Sequence, residues 1–154
     1  MNDRPLDLVP LFSSDLHLRW TTGGLVLDEE TLGTIEVLAP ASAARVFREH
    51  TQRVRALHIH RRVPSCEILH LSSVRSQQVA SWITKILGKG MAPGHTDRIL
   101  VSWDEERAVR THWTTFQSHW LSFCREGHDD TIITPLVGDW VLAHHHEGRL
   151  FLGN

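Results

Sequence analysis

Apolar and polar residues alternate over several short stretches of the chain, a pattern typical of β-strands that bury one face. Residues 16–20 alternate in this way, and residues 25–27 follow after Gly23 and Gly24, so we expect a β-hairpin with a glycine turn. Further stretches rich in aliphatic and β-branched residues also predict strands. These stretches are residues 34–38, 54–59, 67–71, 99–103, 131–133, 140–143 and 149–152.

Elsewhere the apolar residues recur at steps of three and four, which is the period of an amphipathic helix. One helix is expected to begin near Pro40 and to continue through His50, because proline is tolerated in the first helical turn. A second helix is expected over residues 79–87. The longest is expected after an N-cap at Asp104, because the apolar residues between 109 and 123 recur at alternating steps of four and three.

The strands and helices do not alternate regularly along the chain. We therefore expect one α+β domain over residues 1–154, with a mostly antiparallel sheet packed by two or three helices. A length of 154 residues, with 41% hydrophobic and 22% charged residues, is ordinary for one folded domain. A short helical turn capped by Asp28 is expected before the strand at residues 34–38.

The charge and composition weigh against several classes of function. A formal net charge of −2 gives no general attraction to nucleic acid or to an acidic membrane surface. No apolar run approaches the roughly 18 residues of a membrane-spanning helix, and residues 1–5 lack the features of a secretion signal. Cys66 and Cys124 are expected to be free thiols. We therefore expect a cytoplasmic protein that binds neither nucleic acid nor membrane.

Three consecutive histidines and a glutamate, at residues 144–147, lie on an expected strand. Alternate side chains of a strand share a face, so His144 and His146 can bind one metal ion together. If a neighbouring strand carried His58 and His60, the four imidazoles would form a site for zinc or iron. The alternative, which we favour, is that these histidines make polar contacts on the solvent face of the sheet.

The sequence contains no H-E-x-x-H, C-x-x-C, G-x-S-x-G or phosphate-loop motif, so no motif identifies a catalytic activity. Acidic residues gather near the last strands, at positions 126, 129, 130, 139 and 147. Such a cluster is usually solvated, but it can also steer a cationic partner. The aromatic residues at positions 113, 116, 120 and 123 either pack in the core or line a pocket, and we favour the core.

The last third of the chain carries an aromatic and acidic pattern. It reads Val101-Ser102-Trp103-Asp104, Thr111-x-Trp113-x-x-Phe116-x-x-x-Trp120-x-x-Phe123, Asp129-Asp130, Trp140-Val141-Leu142, His146-Glu147 and Phe151-Leu152-Gly153. This pattern resembles small, stand-alone immunity proteins of bacterial polymorphic toxin systems. The resemblance implies a cytoplasmic protein that binds and blocks one cognate toxin, with no catalytic residues and no cofactor.

We therefore expect a non-enzymatic inhibitor of a bacterial toxin. A metal-dependent enzyme or metal-binding protein is the alternative, and a structural subunit of a larger assembly is a third interpretation. The residues expected to contact the toxin are Asp129, Asp130, Asp139, His146 and Glu147. Trp140 would add an anchor if it faced outward, but we favour a core position for it.

Overall fold

A computed structural model describes residues 5–22, 26–59, 67–70, 81, 97–125 and 129–153, with the backbone alone for residues 56–59 and 67–70. The strands within these residues are β1 (Leu8–Val9), β2 (Glu36–Leu38), β3 (Glu67–His70), β4 (Arg98–Ser102), β5 (Ala108–His112), β6 (Thr131–Pro135), β7 (Val141–His145) and β8 (Arg149–Gly153). They form one sheet in the order β1-β2-β5-β4-β6-β7-β8-β3. Every neighbouring pair is antiparallel.

One long helix and several short ones accompany the sheet. They are α1 (His17–Thr21), α2 (Glu29–Gly33), α3 (Pro40–Ile59), α4 (Trp113–Ser118), α5 (Trp120–Phe123) and a 3-10 helix (Leu11–Ser13). The prediction of an α+β fold with a mostly antiparallel sheet is therefore confirmed. Among the described residues, no helix combines the length and the apolar composition needed to cross a bilayer.

The sheet is covered on both faces, which gives the protein two apolar cores. On one face, Val46 of α3 packs in a cluster with Leu100 and Ala108 of the central strands. On the opposite face, the short helices supply most of the aromatic rings, and the Trp20 ring of α1 lies 5.5 Å from that of Phe123. The rings at positions 113, 116, 120 and 123 are all buried there, so the prediction that they belong to the core is confirmed.

The predicted hairpin over residues 16–27 is wrong, because residues 17–21 form helix α1. Burial explains the difference: Leu16 and Trp20 are buried while Leu18 is exposed. An i, i+4 pair shares one face of a helix, whereas a strand would place Leu18 on the same face as both. The backbone N–H of Leu27 then donates to the carbonyl of Trp20, which holds the following segment against the helix.

The predicted strand over residues 54–59 is also wrong, because helix α3 continues through Ile59. The sequence from Ala41 to Ile59 contains no glycine or proline and is rich in alanine, arginine and other good helix formers. The strand predicted at residues 67–71 is present as β3, but it pairs with β8 rather than with residues 54–59.

The long helix predicted after Asp104 is replaced by a β-hairpin and two short helices. Asp104 caps a turn instead: its Oδ1 accepts hydrogen bonds from the backbone N–H groups of Glu106 at 2.9 Å and Arg107 at 2.7 Å. Strand β5 follows, because Val109 and Thr111 alternate with more polar positions and lie buried in the sheet. Only from Trp113 onward is the chain helical, so the regular apolar spacing from Val109 to Phe123 spans three separate elements.

The remaining secondary-structure predictions agree with the structure where it describes them. Asp28 caps α2 by accepting a hydrogen bond from the Thr31 N–H at 2.7 Å. The strands predicted at residues 34–38, 99–103, 131–133, 140–143 and 149–152 correspond to β2, β4, β6, β7 and β8. The helix predicted over residues 79–87 lies outside the described residues except for Ser81.

Candidate functional site

Three turns meet at one end of the central sheet. They are residues 103–107 between β4 and β5, residues 129–130 before β6, and residues 146–148 between β7 and β8. The register places them side by side, because Ser102 pairs with Ile132 and Thr131 pairs with His144. We call these residues the acidic end of the sheet. Six of its side chains are acidic: Asp104, Glu105, Glu106, Asp129, Asp130 and Glu147.

A compact group of one aspartate and two histidines is formed by Asp130 and His146 of the acidic end together with His145, the last residue of β7. Asp130 Oδ1 accepts a hydrogen bond from the backbone N–H of His146 at 2.9 Å and lies 2.8 Å from its Nδ1. The rings of His145 and His146 are tilted relative to each other, with their centroids 4.1 Å apart and 32° between the planes. One potential ligand atom from each of the three residues lies within 4.8 Å of the other two.

The β7–β8 turn explains why these residues converge. Strand β7 ends at His145, and the N–H of Gly148 donates to the carbonyl of His145 at 2.9 Å. Gly148 has a φ of 74°, a conformation that residues with a side chain rarely adopt. Because strand geometry stops at His145, His146 no longer alternates with it and turns towards Asp130 instead.

Glu147 and Arg149 extend this group at its edge. The Glu147 carboxylate accepts a hydrogen bond from the Arg149 guanidinium and lies 3.6 Å from His145 Nδ1. Arg149 and His145 are paired across the β7–β8 hairpin, so their side chains share one face of the sheet. Glu147 is therefore held in place, although its side chain is mostly exposed to solvent.

The Asp130 carboxyl is stabilised in its charged form. Partial burial acts to raise its pKa, but hydrogen bonds from the backbone and side chain of His146 and the charges of both imidazoles oppose this. The result is a pKa below the ordinary value for aspartate. At neutral pH the group can therefore offer a carboxylate oxygen to a cationic ligand or to a hydrogen-bond donor.

Asp129 has a different environment from its neighbour. Its Oδ2 lies 2.7 Å from a guanidinium nitrogen of Arg19, and its Oδ1 lies 3.5 Å from one of Arg107. Only 12% of its side chain is exposed, and only 8% of the Arg19 side chain. Although the sequence suggested Asp129 as a contact residue, the structure leaves it little surface for a partner.

Arg19 ties α1 to the end of α5 through several contacts. Its Nε donates to the Ser122 carbonyl at 2.9 Å, and a terminal nitrogen donates to the Phe123 carbonyl at 2.7 Å. The guanidinium also lies 4.6 Å from the centre of the Trp103 ring, within the range of a cation–π contact. These contacts make the Arg19–Asp129 pair part of the folded framework.

Asp139 does not belong to the acidic end. It lies in the loop between β6 and β7, at the opposite end of these antiparallel strands from Asp130 and His146. Trp140, which follows it, is 3% exposed, and its ring lies 5.7 Å from that of Trp113. The core position that we favoured for Trp140 is confirmed.

The four histidines of the predicted metal site are not arranged as expected. His144 is buried and only 1% exposed, whereas His146 lies in the exposed turn, so the two do not share a face. His58 lies on helix α3 rather than on a strand, and His60 lies outside the described residues. The structure instead brings His146 together with His145 and Asp130.

Sequence reasoning missed His145, Glu105 and Glu106 as members of this surface. His145 was set aside because strict alternation would place it on the face opposite His146. The signal that the strand ends there is Gly148, since glycine after a polar pair is typical of a tight turn. Glu105 and Glu106 were assigned to the first turn of a helix, whereas they lie in the exposed β4–β5 turn.

A further histidine, His50 of α3, is buried beneath the sheet. Its Nδ1 lies 2.6 Å from Ser102 Oγ, and its Nε2 lies 2.7 Å from Thr134 Oγ1. Desolvation, together with the charge of Arg53, lowers its pKa to about 3. Both ring nitrogens are therefore engaged, and the imidazole is neutral at physiological pH.

No protein-family model matches this chain, and comparisons with curated proteins and with solved structures give no significant match.

Proposed function

We propose that this protein is a non-enzymatic immunity protein that binds and neutralises one bacterial toxin through the acidic end of its sheet. The proposal places it in the cytoplasm, where it would meet a toxin acting on its own cell. The observation that carries the proposal is the exposed and fixed group formed by Asp130, His146 and Glu147.

The exposure of this group supports a role in recognition. The side chains of Asp130, His146 and Glu147 are each half exposed or more, at 58%, 50% and 58%. Their positions are nevertheless set by hydrogen bonds between His146 and Asp130 and between Glu147 and Arg149 of β8. Side chains that are ordered before binding lose less conformational entropy when a partner arrives.

The charge of the acidic end indicates the kind of partner it fits. Its six acidic side chains are accompanied within the three turns by one arginine, Arg107, while Arg19 and Arg149 from nearby offset two of the charges. The remaining negative charge would steer a partner that presents lysine or arginine. We therefore propose that the toxin binds through a basic surface.

The resemblance of the last third of the chain to immunity proteins of polymorphic toxin systems also supports the proposal. The segment that carries the resemblance includes β4 to β8 and all three turns of the acidic end. A paired inhibitor needs a rigid scaffold and a charged surface that its toxin can recognise, and the hairpins of this sheet would serve as such a scaffold for an acidic surface.

A mixing experiment tests this proposal. Candidate toxin domains encoded by neighbouring genes are assayed with and without equimolar purified protein, and we expect the activity of one of them to be blocked. The combined variant Asp130→Asn, His146→Gln, Glu147→Gln should weaken binding by at least about tenfold, as loss of a central contact group does. The matched control Asp139→Asn should inhibit as the parent protein does.

Two results would contradict the proposal in different ways. Unchanged toxin activity in the presence of the parent protein would overturn the immunity function. Full inhibition by the combined variant would overturn the assignment of the acidic end as the binding surface.

A further inference from the structure

We propose that Asp130, His145 and His146 form a binding site for a single divalent transition-metal ion, with zinc as the ion that fits best. This site differs from the four-histidine site suggested by the sequence, and it does not depend on toxin binding. Two imidazole nitrogens and one carboxylate oxygen are a ligand set that suits zinc and its neighbours in the first transition series. Three protein ligands leave a fourth position for water or for a ligand from a partner.

The distances between the ligand atoms are close to those that a metal needs. Ligand atoms about 2.1 Å from a tetrahedral zinc ion are about 3.4 Å apart. In the structure all three atoms lie within 4.8 Å of one another, and His146 Nδ1 lies 2.8 Å from Asp130 Oδ1. Side-chain rotations that move the ligand atoms by about 1 Å would therefore form the site. The turn is exposed, so these side chains have room to move.

The backbone holds the carboxylate in a suitable orientation. The N–H of His146 donates to Asp130 Oδ1 at 2.9 Å, which fixes the carboxylate plane relative to the turn. A hydrogen bond of this kind to a ligating carboxylate orients it and is retained when the metal binds. The two adjacent imidazoles, 4.1 Å apart, are likewise placed on the same side of the β7–β8 turn.

The local charge favours a cation. Among the described contacts of the Asp130 and Glu147 carboxylates there is one guanidinium, that of Arg149, which is bound to Glu147. No guanidinium contacts Asp130 among the described residues, so its carboxylate is available to a metal ion beside the two imidazole rings. A metal ion would bind His146 through a ring nitrogen that carries no proton, so a proton on Nδ1 would move to Nε2 or pass to solvent when the metal binds there. The carboxylate would neutralise part of the charge that the metal brings.

Titration of the full-length protein with zinc chloride, followed by calorimetry, tests the proposal. We expect the parent protein to bind one zinc ion per chain at this site. In Asp130→Asn and in His146→Gln, we expect the affinity for this ion to fall by at least about tenfold. The Asn side chain can still accept the backbone hydrogen bond from His146, so this variant should fold normally. Asp139→Asn and His119→Gln serve as matched controls and should bind zinc as the parent protein does.

A second measurement separates this site from the other histidines of the chain. Cobalt(II) in a site with two imidazoles and a carboxylate gives visible absorption bands that depend on its ligands. These bands should appear in the parent protein and both controls, and should be absent from His145→Gln and His146→Gln. Unchanged zinc stoichiometry and cobalt spectra in those two variants, or no zinc binding by the parent protein, would overturn the proposal.

Discussion

Asp129 and Asp130 are adjacent in sequence and carry the same side chain, but they have opposite environments. Asp129 is 12% exposed and pairs with Arg19, which is itself 8% exposed. Asp130 is 58% exposed and contacts only the histidine turn among the contacts described for it. The first therefore belongs to the folded framework, while the second belongs to the surface.

Strand geometry explains the difference between them. Both residues immediately precede β6, and their side chains point to opposite faces of the sheet, as successive residues of a strand do. Asp129 has the same orientation as Thr131, whose hydroxyl donates to the Phe123 carbonyl on the side of the short helices. Asp130 has the orientation of the opposite face, as His145 does. A charged residue in a cluster can thus be assigned a role only after it is known to which face of the sheet its side chain points.

The largest effect should follow from breaking the buried pair. Asp129→Ala leaves the Arg19 guanidinium buried without its carboxylate, so we expect the free energy of unfolding to fall by about 3–5 kcal/mol. Asp130→Ala removes only exposed contacts, and we expect a loss of about 1 kcal/mol or less. Urea denaturation at pH 7 measures both. Equal losses of unfolding free energy in the two variants would contradict the distinction between a framework aspartate and a surface aspartate.

The same distinction between buried and exposed groups predicts a pH dependence through His50. Its pKa is about 3 in the folded protein, against an ordinary value near 6.5 in the unfolded chain. Between these values the unfolded chain binds the proton, so stability is complete above about pH 6.5 and falls as the pH drops towards 3. The slope should approach about 1.4 kcal/mol per pH unit.

Denaturation at several pH values between 4 and 7 measures this slope. His50→Leu should reduce it, because the variant has no group to protonate at this position. Thr134→Val keeps the imidazole buried and should retain the slope, although it removes a hydroxyl that lies 2.7 Å from Nε2. A slope that is the same in His50→Leu as in the parent protein would contradict the assignment.

The ion cluster on β2, β4 and β5 is intermediate in solvent exposure between the two aspartates. Glu36 accepts hydrogen bonds from Arg110 at 2.7 Å and 3.0 Å and also from Arg98. The hydrogen bonds from Arg110 lower the pKa of Glu36, but about a third of its side chain is exposed. We expect Glu36→Gln to lose about 1 kcal/mol of unfolding free energy. The loss of unfolding free energy should become smaller at high salt. A salt-independent loss of several kcal/mol would show instead that Glu36 behaves as the buried pair does.

The smallest stability effect is expected from Asp130→Asn. The amide oxygen can still accept the hydrogen bond from the His146 N–H, so the unfolding free energy should change by about 0.5 kcal/mol or less. Thermal denaturation in the absence of metal checks this. A large destabilisation would mean that Asp130 supports the fold and is not held mainly for binding.

The sequence predicted those parts of the fold in which one local signal dominates. Strands β4, β6 and β7 carry runs of aliphatic residues that are buried in the sheet, and Asp28 caps α2 through a short-range hydrogen bond. The helix expected over residues 105–123 was wrong because two interactions compete there. The aromatic spacing from Trp113 onward fits a helix. Val109 and Thr111, however, are buried in strand β5, which lies between β4 and β2.

The candidate site was predictable only in part. Asp130, His146 and Glu147 follow from the acidic and histidine pattern near the last strands. The inward orientation of Asp129 depends on Arg19, which is 110 residues away in sequence, and no local pattern contains that contact. Likewise, the β4–β5 turn becomes part of the acidic end only through the register of β4 with β6.

Hydrogen–deuterium exchange of the protein with and without its toxin tests the central claim most directly. If the acidic end is the binding surface, amides at residues 103–107, 129–130 and 145–149 should be protected in the complex. The β6–β7 loop at residues 136–140 should exchange as it does in the free protein. Protection centred on that loop, with the acidic end unchanged, would contradict the account.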